Sequence, residues 1–87
     1  MWIERDQRLI REFRFAHFQE AFTFMTRVAF LAETHRHHPI FVNNGAYVRL
    51  ELHTHDAGGG VTQRDWDLAF AIDQILQNQT SNTDDFT

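Results

Sequence analysis

Eighty-seven residues with a net charge of −4 make one small domain, able to bury only about 60–65% of its unfolded surface, so self-association is a natural remedy for a thin core. All eight basic residues are Arg, which excludes lysine Schiff-base chemistry, and the absence of Cys excludes disulfides, a thiolate nucleophile and Cys-ligated zinc. The acidic balance argues against direct nucleic-acid binding and no run approaches the ~18 apolar residues of a membrane span, so a cytoplasmic protein is expected.

Trp2–Gln7 and Leu9–Phe15 read as two short strands. A period of two puts Leu9, Arg11, Phe13 and Phe15 on one face and Ile10, Glu12 and Arg14 on the other. His17 to about Thr34 is the clearest helix. Phe18, Ala21, Phe22, Met25, Val28, Ala29 and Ala32 follow the i, i+3, i+4 spacing of a buried stripe. Phe24 and Leu31 fall about 100° from the centre of that stripe, where they either widen the core or form an interface between subunits.

Pro39 disfavours helix at His38. Ile40–Asn43 and Ala46–His53 then form a hairpin around Asn44-Gly45, a pair suited to a type I′ turn. Val48, Leu50 and Leu52 share one face with Ala46; Tyr47, Arg49, Glu51 and His53 take the other. Gly58–Gly60 breaks the strand. Thr62 fits a helix N-cap with Asp65 at its third position, a variant of the capping box. The helix is predicted to reach about Gln77, with Leu68, Ala69, Ile72, Ile75 and Leu76 inward and Trp66 and Phe70 away from the core. Residues 78–87 are polar without periodicity and predict a flexible C-terminal tail. The order β-β-α-β-β-α predicts an α+β domain over residues 1–77, a four-stranded antiparallel sheet with two helices on one face.

Five of the six histidines lie between His35 and His55. Imidazole, with an unperturbed pKa of ~6.5, both gives and takes protons near neutrality. The cluster suits proton transfer or a metal. His35-x-His37 and His53-x-His55 each put two imidazoles on one face of a strand, and three imidazoles plus water would suit catalytic zinc.

Phe13-Arg-Phe15, the run Phe18 to Ala29, Ala32-Glu33, His37-His-Pro39, Thr54-His-Asp-Ala-Gly58 and Thr62-x-x-Asp65 together resemble the pterin-4a-carbinolamine dehydratases, also known as dimerisation cofactors of a homeodomain transcription factor. The resemblance covers roughly Trp2 to Ile75. It implies dehydration of 4a-hydroxytetrahydropterin to quinonoid dihydropterin in the recycling of tetrahydrobiopterin, with no metal and no bound cofactor. It implies His37, His38 and His55 as catalytic residues, with Glu33, Pro39, Asp56 and Asp65 around the substrate. General acid–base chemistry makes sense of these types: one imidazole protonates the departing 4a-hydroxyl while another takes the proton of the adjacent ring nitrogen.

The sequence departs from the family pattern in three places. Gly45 stands where the family carries an aromatic, the loop Gly58–Gly60 has one glycine more, and the family's helix before the position of Trp2 is expected to be absent. The resemblance also implies a homodimer or homotetramer, formed through Phe24, Leu31, Trp66 and Phe70 or a sheet edge. The alternative is a catalytically weak relative acting as an oligomeric interaction module of the transcriptional coactivator type.

Overall fold

The structure, a computed structural model, describes residues 1–55 and 58–85, with side chains described as far as Gln77. Six elements follow one another: β1 (Ile3–Arg5), β2 (Arg8–Arg14), α1 (Phe18–His35), β3 (Ile40–Asn44), β4 (Tyr47–Leu52) and α2 (Gln63–Asp85). All strand pairs are antiparallel, in the order β1-β2-β4-β3. The predicted α+β arrangement of two hairpins and two helices is the one found.

Register explains which residues form the core. Leu9 pairs with Leu52, Arg11 with Leu50 and Phe13 with Val48. The apolar members of these pairs pack with Ala21, Phe24 and Val28 of α1 and Leu68, Ala69 and Ile72 of α2. Ile10, Glu12 and Arg14 alternate to the opposite face, across from Glu51, Arg49 and Tyr47. Arg11 is the cation on the core face. Its Nη1 donates to Asp73 Oδ1 at 2.7 Å, and Trp2 Nε1 donates to the same oxygen at 2.9 Å. These bonds tie α2 to β2 and to the residue that leads into β1.

The turns differ from the expected one. Asp6 and Gln7 both have positive φ, 53° and 63°, so the type I′ geometry lies in the first hairpin. In the second, Asn44 pairs with Tyr47, which leaves Gly45-Ala46 as the loop. Gly45, at φ 59°, is its positive-φ residue, and glycine at the first central position marks a type II′ turn. The Asn43 side-chain amide donates to the carbonyls of Gly45 and Tyr47 at 3.0 and 2.9 Å, so Asn44 stays in β3 and the reversal moves one residue on.

Helix α1 is capped by His17, whose Nδ1 accepts from the Glu20 N–H at 3.3 Å. Its buried stripe is Ala21, Phe24, Val28 and Ala32; Ala21, Val28 and Ala32 are as predicted, and the addition of Phe24 turns the stripe by about 55°. Phe18 and Phe22 are instead more than half exposed, and Ala29 is exposed as well. The sheet sets the phase. Phe24 meets Phe13 and Phe15 at ring-centroid distances of 4.8 and 5.1 Å, and burying such a ring stabilises by about 1.5–3 kcal/mol. Phe24 is therefore core and not interface, and Leu31 is partly buried against the same cluster.

In α2 the inward residues are as predicted, and Trp66 and Phe70 are exposed. The helix continues past Gln77 to Asp85, into the segment expected to be a tail. Residues 78–85 contain neither Pro nor Gly, so nothing in them forces the backbone out of helical geometry.

Candidate active site

The end of α1 delivers the first functional side chain. Arg36 follows the helix in the left-handed region, φ 52° and ψ 44°. Its N–H donates to the Glu33 carbonyl, and the His37 N–H donates to the Ala32 carbonyl at 3.0 Å. These are the paired bonds of a Schellman turn. The reversal places His37 inside, 8% exposed, with Pro39 also buried. Arg64 Nη2 of α2 donates to the Arg36 carbonyl at 2.7 Å and secures the turn.

The second contribution comes from the segment after β4. The Thr54 N–H donates to the Gly60 carbonyl and the Gly59 N–H to the Thr54 carbonyl, at 2.9 and 3.2 Å. Gly58 and Gly59 take positive φ, 68° and 88°. The loop thus closes on itself and presents Thr54 inward. Asp65, in the first turn of α2, is fully buried between these two contributions.

His37, Thr54 and Asp65 are three of the four buried polar or charged side chains among the described residues. Asp65 Oδ1 lies 2.5 Å from His37 Nε2. Asp65 Oδ2 accepts from the Thr54 hydroxyl and the Thr62 N–H, both at 2.8 Å. Thr54 has then spent its only proton, so the Thr62 hydroxyl donates to Thr54 Oγ1 at 2.7 Å. Burial is the largest single influence on the Asp65 carboxyl and works against its charge. The bonds from His37, Thr62 and Thr54 together outweigh it and hold the pKa below the ordinary carboxylate range. With Asp65 ionised, His37 carries a proton on Nε2 and donates it to Asp65 Oδ1.

The other candidates take different environments. His38 Nε2 pairs with Glu33 Oε2 at 2.8 Å, with both side chains about two-thirds or more exposed. The His55 ring is exposed and meets the His53 ring edge-on, 4.4 Å between centroids. Half-buried His53 is held below the usual histidine range, first by burial, then by the nearby His55 and Arg8; it also lies within electrostatic reach of Asp65 and His37. Asp56, expected near the substrate, lies outside the described residues. Among the described residues no three His, Asp or Glu side chains converge as a metal ion would need.

The Thr62 N–H bond to Asp65 is the one the capping-box spacing predicts. Thr54 is the contributor that sequence reasoning misses, and His53, read there only as half of a possible metal pair, joins the site through its alternation with His55.

Residues 1–75 match the profile of the family described as Pterin 4 alpha carbinolamine dehydratase. A protein of Prochlorococcus marinus (strain MIT 9303) is 54% identical over 74 residues, 85% of this chain and 76% of its own length. One from Chloroflexus aggregans is 49% identical over 85% of this chain and 78% of its own. Both carry the provisional name pterin-4-alpha-carbinolamine dehydratase. The crystal structure of a transcriptional coactivator/pterin dehydratase from Brucella melitensis superposes with a TM-score of 0.80 at 36% identity, covering 85% of this chain and 80% of that one.

Proposed function

Because the chain belongs to the pterin-4a-carbinolamine dehydratase family, we propose that it is an active hydro-lyase that removes water from 4a-hydroxytetrahydropterin by histidine acid–base catalysis in the cytoplasm. The observation that carries the reading is the buried His37–Asp65 pair, completed by Thr54 and Thr62, beside the accessible imidazoles of His38 and His55. In the reaction the C4a–oxygen bond breaks. One imidazolium gives its proton to the departing hydroxyl, which leaves as water, and a neutral imidazole takes the proton of the adjacent ring nitrogen. His38 and His55 are the accessible carriers for these two transfers. His37, fixed in one tautomer by Asp65, binds and orients the ring. Glu33 holds His38, and Pro39 fixes the backbone beside it. Each positioned acid or base typically contributes 10²–10⁴-fold.

The test is turnover of freshly generated 4a-hydroxytetrahydrobiopterin, followed by the absorbance of the quinonoid product. His38→Ala and His55→Ala should each lower kcat by ~10²-fold or more. Unchanged turnover in both would remove the mechanism.

A second reading is supported by the exposed apolar surface of Phe18, Phe22, Trp66 and Phe70 and by the coactivator description of the Brucella relative. In that reading the chain is an oligomeric interaction module, and it predicts stable association in a preparation without measurable turnover.

A further inference from the structure

The sheet face opposite the core carries a groove unrelated to the histidines. Two clefts of ≈ 400 and ≈ 260 Å³ share Arg5, Ile10 and Arg49 in their walls, and no helical residue lines either. The larger cleft adds Arg8, Glu51 and Asp6; the smaller adds Ile3 and Glu12 among others. We propose that this groove binds a small oxyanion, a phosphate monoester or carboxylate borne on a short apolar body.

The argument begins with hydrogen-bond capacity. A guanidinium offers five N–H donors in a planar fork that matches carboxylate and phosphate oxygens. Glu51 holds two such forks at once: Arg8 Nη1 donates to Oε1 at 2.6 Å and Arg49 Nε to Oε2 at 2.9 Å. Both carboxylate oxygens are then occupied, and Arg8 and Arg49 are held side by side with further donors to spend. Their side chains remain 43% and 36% exposed, open to a ligand. Glu12 accepts from the Tyr47 hydroxyl at 2.7 Å. The Arg5 side chain makes no hydrogen bond or ion pair among the described residues, and Asp6, at the turn, is the remaining acid of the larger cleft. Across the two clefts Arg5, Arg8 and Arg49 stand beside Asp6, Glu12 and Glu51; Glu51 and Glu12 are already engaged by Arg8, Arg49 and Tyr47, so Arg5 and the unused N–H groups of Arg8 and Arg49 are the donors left for a ligand.

Ile3 and Ile10 are cross-strand partners on this face, and Ile3 is 60% exposed. They offer an apolar floor beside the guanidiniums. The larger cleft falls in the ~300–1,000 Å³ range of small-molecule sites. Glu51 serves as the preorganising group: it fixes two forks in advance, so the ligand need not order them.

The probes are phenyl phosphate, benzoate and, as a neutral control, phenol. Each is titrated into the full ¹⁵N-labelled chain while amide and arginine Nε–H shifts are followed. Saturable shifts confined to β1, β2 and β4 with phenyl phosphate or benzoate support the proposal; a response to the phosphate alone identifies a dianion site, and to both a general oxyanion site. Arg5→Gln removes no internal contact and should weaken binding about tenfold. It should leave dehydration unchanged, which separates this groove from the histidine site. No saturation below ~10 mM, equal binding of phenol, or an affinity unmoved by Arg5→Gln would each overturn it.

Discussion

Asp65 is a fully buried carboxylate surrounded by three donors. Asp65→Asn keeps the shape but loses the charge that fixes the His37 tautomer. Turnover should fall ~10²-fold or more, and stability by about 1–3 kcal/mol at pH 7. The folded pKa lies below the unfolded value of ~3.9. The stabilisation is therefore complete above that value and lost as pH falls through the folded pKa. Urea titrations at stepwise lower pH should show the gap between wild type and Asp65→Asn closing in that acid window, and a constant gap would contradict the assignment. His53 has the same sign at higher pH. Its folded pKa is depressed, so the unfolded chain binds the proton more readily below ~6.5. His53→Gln should flatten the loss of stability as pH falls from 7 through the folded pKa, read as a smaller shift in urea midpoint. Histidine and acid types were legible in the sequence because their chemistry is carried by identity and spacing. The Thr54 hydroxyl network was not, since it depends on how the glycine loop closes and which way one short side chain then points.

At the scale of elements, strand and helix existence followed from periodicity, and the errors were errors of phase. A stripe containing Phe18 and Phe22 is as apolar as one containing Phe24. What decided between them was the pair Phe13 and Phe15 on β2, a partner no helical pattern contains. Phe24→Ala should cost about 3–5 kcal/mol in chemical denaturation, whereas Phe22→Ala should stay within roughly 0.5 kcal/mol of wild type in dilute solution. Equal costs would restore the predicted stripe. The hairpin erred in the same manner: Asn44-Gly45 and Gly45-Ala46 are both plausible turns, and the Asn43 side chain selects the second. The end of α2 was misplaced because polar composition by itself does not stop a helix; Gly or Pro does.

The whole molecule exposes Phe18, Phe22, Phe30, Trp66 and Phe70 on its helices, rings that association between subunits would take out of water. Sedimentation at micromolar concentration should give an oligomer, and Trp66→Ser with Phe70→Ser should shift it toward monomer without lowering the helical signal. A monomeric wild type would show that these rings serve another purpose. The strand order carries a consequence in time. Each hairpin closes locally, within microseconds, but the central seam joins β2 to β4 across 43 residues, as between Arg8 and Glu51. That loop must be closed before the seam yields any contact, and non-local pairing slows folding. Until then β2 holds Leu9 and Phe13 on an unpaired edge, so the seam sets both the folding rate and the interval in which a nascent chain is open to aggregation.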